Sequence, residues 1–223
     1  MARFPDRTTA GRELARLVAQ RGVDQPAVVL ALPRGGVPVA LEVARTIGAP
    51  LDVLVVRKLR TPGHPELAFG AVASGGVCWI DPAAHRRDEQ EIAYELDQVR
   101  EREQRYRPPG FQPVDVRGRT VVLVDDGIAT GATVQAGVES ARLLKAATVI
   151  VAAPIAPPGA VRMLDHSADR VDVVEILPGF GAVSVLYDDF REVPDSAVVA
   201  TLAATQPPPQ HDASDEPSDA DQV

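Results

Sequence analysis

Thr120 to Thr133 reads TVVLVDDGIATGAT, and this stretch decides the fold. Thr120–Val124 is an unbroken run of β-branched and apolar residues, the pattern of a strand buried on both faces of a parallel sheet. It ends in two acids, Asp125 and Asp126, and passes through a Gly- and Thr-rich turn into a helical pattern that begins at Ala132. In an open α/β sheet, ligands bind where strands end and helices begin. Successive N–H groups of Ile128 to Thr133 at that helix start form an anion nest, and the hydroxyls of Thr130 and Thr133 add donors. Gly127 and Gly131 permit the positive φ angles and close approach that such a loop needs.

The surrounding chain supplies the rest of such a sheet. Ala27–Leu32, Leu51–Val56, Thr148–Ala153 and Val171–Leu177 read as further buried strands. Helical patterns run from Thr9 to Arg21, from Val37 to Ile47 with Gly48 as a stop, and from Ala132 to Leu144. Strands alternating with helices predict an α/β fold with a parallel sheet covered on both faces. Residues 86–106 predict a long charged helix whose apolar positions Ile92, Leu96 and Val99 make only a thin stripe, so it belongs on the outside of the sheet or at a subunit contact. The sequence predicts one domain over residues 1–204 and a disordered, acidic, Pro-rich tail over 205–223, which lacks the large apolar groups that offset the entropy of ordering.

Charge and cysteine content narrow the function. The formal charge is −8 over 223 residues. Asp212, Asp215, Glu216, Asp219 and Asp221 of the tail account for most of it, and the remainder is close to neutral. That balance gives no reason to expect nucleic-acid binding. A single cysteine, Cys78, excludes an internal disulfide and fits a reducing cytoplasm. No run approaches the roughly 20 apolar residues of a membrane span, so no membrane is expected. His85, His166 and His211 show no metal-ligand spacing, and no Ser or Cys stands in a nucleophile setting.

Two carboxylates beside a phosphate nest conflict unless the acids accept hydrogen bonds from sugar hydroxyls a few ångströms away. A ribose 5-phosphate meets both demands. A strand-to-helix turn whose acids and threonines merely cap the helix is the bland alternative. A receiver domain fails on order, because 119 residues precede Thr120 and the strand Val171–Leu177 ends in no acid. A Walker loop fails because no GxxxxGK[ST] occurs.

The strand, acidic pair and Thr/Gly loop resemble the 5-phosphoribosyl 1-pyrophosphate (PRPP) signature of type I phosphoribosyltransferases, and the resemblance covers Val28 to Phe190. It implies a mainly parallel, twisted five-stranded sheet flanked by helices, with a small hood and a flexible loop. It also implies transfer of ribose 5-phosphate to a nitrogenous acceptor with release of pyrophosphate, Mg²⁺ held mainly through PRPP and water, and a homodimer. Asp125 and Asp126 would hold the ribose hydroxyls, Ala129, Thr130, Gly131, Ala132 and Thr133 the 5′-phosphate, and Gly127 and Ile128 would line the same PRPP site. Arg34, Gly35 and Gly36, in the loop after the first strand, would hold pyrophosphate, with a cis peptide at Arg34–Gly35. Arg57 and Lys58, with Arg60 and His64 behind them, would close over PRPP on a long Gly/Pro-rich loop. Lys58 joins Asp125 and Asp126 as a catalytic candidate. Gly70–Val72 with Gly75 and Gly76 predicts a hairpin, and Glu66 a polar anchor. Phe180 and Tyr187 fall in the hood, where aromatic residues stack on a base or fill core. A PRPP or nucleotide sensor of the same fold, and a hydrolase acting at the same nest, remain the alternative functions.

Overall fold

The computed structural model describes residues 3–61, 64–80, 84, 87–107 and 111–205, without the side chains of residues 61 and 64–68. The predicted tail from Gln206, the side chains of His64 and Glu66, and His85 and His211 lie outside the described residues. Strands β1 (Ala27–Ala31), β2 (Leu51–Val53), β6 (Thr120–Val124), β7 (Thr148–Ala156) and β8 (Arg170–Ile176) form a five-stranded sheet in the order β2-β1-β6-β7-β8. Every pairing in it is parallel. β6 therefore sits in the middle, which explains why all five of its residues are buried.

Alternation along these strands divides the core in two. Val29, Ala31, Val122, Val124, Ile150 and Ala152 face one side, under helices α1 (Arg7–Arg21) and α2 (Gly36–Ile47). Val28, Leu30, Val121, Leu123, Val149 and Val151 face the other, under α4 (Ala132–Leu143) and α5 (Pro158–Leu164). Burying both faces is what removes the polar alternation from the sequence. Helix α6 (Asp195–Thr205) packs beside α2 and α3 (Glu89–Tyr106).

The structure departs from the sequence reading between Leu51 and Ile80. The predicted strand Leu51–Val56 breaks after Val53, because Ser74 captures Val55: Ser74 N–H donates to Val55 O, and Val55 N–H donates to Ser74 Oγ. From Val56 the chain starts a second sheet of β3 (Val56–Thr61), β4 (His64–Ala73) and β5 (Val77–Ile80), antiparallel throughout. The expected hairpin is there, with Ser74–Gly76 as its turn. The stretch predicted as an open loop after Lys58 is instead largely this ribbon, for its β-branched and aromatic residues pair across strands despite the interspersed Gly and Pro. α3 covers the ribbon from outside, as its thin stripe predicts, with Ile92 and Val99 buried. Among the described residues no helix is long and apolar enough to cross a membrane.

Candidate functional site

β6 delivers Asp125 and Asp126 to the carboxyl edge of the sheet at its centre. Asp125 Oδ1 accepts from the Asp126 N–H at 2.9 Å, which folds the first carboxylate back over the turn. Burial, and then the adjacent Asp126 charge, raise the Asp125 carboxyl well above the usual range. Burial also raises Asp126, while the Arg7 guanidinium pulls it back. Arg7 Nε donates to Asp126 Oδ2 at 2.7 Å, and both side chains are nearly enclosed, at 11% and 13% exposed. The Tyr187 hydroxyl donates to Asp126 O at 2.6 Å.

The loop after β1 presses against this pair. A Cβ placed on Gly35 would stand 2.0 Å from Asp126 Oδ2, and one on Gly36 would stand 2.7 Å from Val124 O. Only residues without a side chain let the Pro33–Gly36 loop reach the acids. The non-proline cis peptide is Pro33–Arg34, one bond ahead of the predicted Arg34–Gly35, and Gly35 has the helical φ −59°, ψ −36° that leads into α2.

On the other side, Ile128 N–H donates to Ile155 O at 2.8 Å, pinning the Thr/Gly loop to the extended end of β7. Gly131, at φ 84°, turns the chain into α4, and the Ala129 and Thr130 ahead of it flank the turn, with Thr130 exposed. Lys58, Asp125, Gly127, Ile128, Ala129, Thr130, Gly131 and Thr133 line a cavity of about 120 Å³ at this helix start. Ala132 opens the helix itself. Backbone N–H groups, hydroxyls and the positive end of a helix dipole face a small volume there, the requirement for holding a phosphate monoester.

The basic candidates divide. Lys58 and Arg57 are adjacent on β3, so their side chains leave opposite faces. Lys58 reaches the cavity, whereas Arg57 turns under α3 and pairs bidentately with the buried Glu95. Arg57 thus belongs to the ribbon's support, a correction to its expected place beside the ligand. Arg34 lines a larger cavity of about 530 Å³ on the far side of Asp126, with Arg7, Gly35, Arg102, Phe190 and Glu192. There it pairs with Glu192 and stands 3.7 Å from Asp195. Tyr187 is buried in the hood with Phe4 and Ile155, whereas Phe180 is half-buried at the edge of that cluster. His166 is exposed. Arg7 is the site residue that sequence reading missed: it lies 119 positions from Asp126, and nothing local marks it.

Known proteins place the chain in one family. The phosphoribosyl transferase domain model matches residues 5–190. Two Mycobacterium tuberculosis proteins, provisionally named as phosphoribosyl transferases, are 44% identical over 212 residues. The match covers 91% of this chain and 47% of theirs, so the chain spans about half the length of these relatives. The crystal structure of TT1426 from Thermus thermophilus superposes with a TM-score of 0.80 at 44% identity, covering 91% of this chain and 99% of that one. A structure of AQ2163 from Aquifex aeolicus, at 11% identity and TM-score 0.51, shares the fold over 89% of this chain and 85% of its own. With the acidic strand end, the glycine-only contact and the helix-start cavity in place, and a family model spanning most of the chain, this chain belongs to the phosphoribosyl transferase domain family.

Proposed function

We propose that the chain is a phosphoribosyltransferase, a pentosyltransferase that binds PRPP and transfers its ribose 5-phosphate to a nitrogenous acceptor with release of pyrophosphate. The observation that carries the reading is the convergence of Lys58, Asp125 and the Gly127–Thr133 loop on one small cavity at the end of β6. The loop N–H groups and the hydroxyls of Thr130 and Thr133 take the 5′-phosphate. Asp125 and Asp126 accept from the ribose hydroxyls and hold the sugar in register. Lys58 and Arg34, on opposite sides of the pair, neutralise the departing pyrophosphate, and Gly35 and Gly36 let its oxygens approach the backbone. Asp125, whose affinity for a proton burial increases, is the better base toward an acceptor.

Among the described residues no cluster of three or more His, Cys, Asp or Glu could hold a metal by itself. The two carboxylates fit Mg²⁺ only as partial or water-mediated ligands, so the ion would take its remaining oxygens from PRPP and water, and when bound it supplies charge neutralisation at the pyrophosphate. A cytoplasmic setting and a homodimer belong to the same proposal. One feature favours the second reading, a PRPP or nucleotide sensor: Arg34 is already engaged by Glu192 and Asp195 instead of facing a leaving group.

Calorimetric titration of PRPP with and without Mg²⁺, on the wild type and on Asp125→Asn/Asp126→Asn, tests the site. A pyrophosphate-release assay across a panel of bases tests catalysis. Mg²⁺-dependent binding lost in the double variant, with release on one base, is the expected result. Binding without release selects the sensor, and absence of binding removes the PRPP assignment.

A further inference from the structure

We propose that Arg7 is a positioning residue for the acidic pair, fixing the direction of the Asp126 carboxylate and coupling it to the hood. The proposal rests on the ribose-phosphate reading only for what Asp126 binds, since the geometry is independent of it.

Arg7 is delivered by two devices. Asp6 caps α1 by accepting from Thr9 N–H at 2.7 Å, which sets the first turn. Ahead of it, the N-terminal segment pairs with the hood: Arg3 and Phe4 N–H donate to Leu186 O, and Asp188 and Asp189 N–H donate to Phe4 O and Pro5 O. From that anchor one guanidinium makes three contacts with three different purposes. Nε donates to Asp126 Oδ2 at 2.7 Å, Nη1 donates to Arg191 O at 2.8 Å, and the centre of the Phe190 ring lies 3.7 Å from the guanidinium carbon. A planar group with donors on its edges and a stacking face can do all three at once, and an ammonium cannot.

The surroundings of Asp126 show that this contact is specific. The other charged groups around Asp126 are Asp125 from its own loop, Arg34 from the β1–α2 loop, Arg102 from α3 and Glu192 after the hood. Arg34 pairs with Glu192, which leaves Arg7 as the cation bonded to Asp126 itself. Its bond falls on Oδ2, the oxygen that lies over Gly35, so Arg7 also fixes which way the carboxylate points. A residue serving only to staple the N-terminus to the hood has no need of that oxygen.

Arg7→Gln and Arg7→Lys in the full chain separate the two roles, each made alone and together with Asp126→Asn, with PRPP titration and urea unfolding followed at one pH. In the wild-type background Arg7→Gln lowers PRPP affinity by about tenfold or more, the scale of a lost charge-assisted hydrogen bond, and it costs much less once Asp126→Asn is present. The unfolding midpoints show the same non-additivity between positions 7 and 126. Arg7→Lys recovers affinity only in part, because an ammonium keeps the charge but not the planar fork, and it serves alone if the Gln variant fails to fold. Effects of Arg7→Gln that simply add to those of Asp126→Asn, in affinity and in unfolding, identify a staple and overturn the proposal, as does an Arg7→Lys protein with wild-type affinity. Wild-type protein that ignores PRPP refutes the functional reading instead, and the unfolding cycle then decides on Arg7 by itself.

Discussion

Replacing Gly35 with alanine tests whether the first loop and the acidic pair are built against each other. Gly35 sits at φ −59°, ψ −36°, a conformation alanine adopts freely. Backbone considerations alone therefore favour the variant by about 0.4–1 kcal/mol, through a less flexible unfolded chain. The new Cβ would lie 2.0 Å from Asp126 Oδ2, where Cβ contacts below 3.0 Å essentially never occur, so the carboxylate must retreat by about 1 Å. Asp126 is not free to do so. Arg7 holds the same oxygen at 2.7 Å, and a retreat of that size takes the pair beyond hydrogen-bond range. A hydrogen bond to a charged group contributes about 1.5–3 kcal/mol. Set against the backbone gain, the net expectation is a loss of about 1–2 kcal/mol of stability and a roughly ten- to hundredfold weaker grip on PRPP. Urea unfolding and calorimetry measure the two. Gly159 supplies the control: it lies exposed in α5 with nothing within 4 Å of a new Cβ, so Gly159→Ala stabilises by about 0.5–1 kcal/mol. A Gly35→Ala protein as stable as Gly159→Ala, with wild-type PRPP affinity, would refute the reasoning.

The two faces of β3 give a paired expectation. Arg57→Ala strands the Glu95 carboxylate, whose side chain is 8% exposed, and destabilises by about 2 kcal/mol in denaturant unfolding, less than a fully buried pair because Arg57 is 28% exposed. Lys58→Ala leaves unfolding nearly unchanged and weakens PRPP binding in calorimetry. Tyr106 makes stability fall in alkali: burial pushes its phenol up to about 12, against about 10 in the unfolded chain. The unfolded state releases its proton first, so stability declines as pH rises from about 10 to 12, and Tyr106→Phe flattens that slope. Tyr187, raised in the same direction by burial, keeps part of it.

The parallel sheet was legible because its strands carry a local signature: β-branched runs that end at ligand-facing loops. Thr120–Thr133 holds within fourteen positions both the acids and the Gly/Thr turn that the structure brings to one sheet end, so a site could be placed there from spacing, while the roles within it came from the family resemblance. The ribbon was not legible in the same way. Gly70–Val72 with Gly75 and Gly76 signalled its hairpin, but Pro62, Gly63 and Pro65 read as an open loop, and what makes strands of their surroundings is pairing across sequence, Val56 with Ala73 and Lys58 with Ala71. Arg57 illustrates the limit further, since adjacency to Lys58 suggests a shared role until strand alternation sends the two to opposite faces. Arg7 is the extreme case. Asp126 stands in a motif and Arg7 follows a helix cap, but neither local signal says that the two meet across 119 residues.

The placement of Arg7 also ties the segment ahead of α1, well before the first strand, to the site. A domain defined only by its sheet would begin near Ala27. Here the segment ahead of α1 pairs with Leu186–Asp189, and α1 itself packs on α2, β7 and β8. The hood is therefore held by the N-terminus as well as by its own connection to β8, and Asp126 lies at the meeting point through Arg7 and Tyr187. A change in the hood that moves Phe190 or Arg191 must act on the same guanidinium that sets the Asp126 carboxylate. On the proposed function, contacts made by an acceptor under the hood would thus reach Asp126 without touching it. In the free energies of ligation this coupling is reciprocal, so PRPP and an acceptor that engages Phe190 are expected to bind with mutual dependence, and Arg7→Lys to diminish that dependence more than either affinity taken alone.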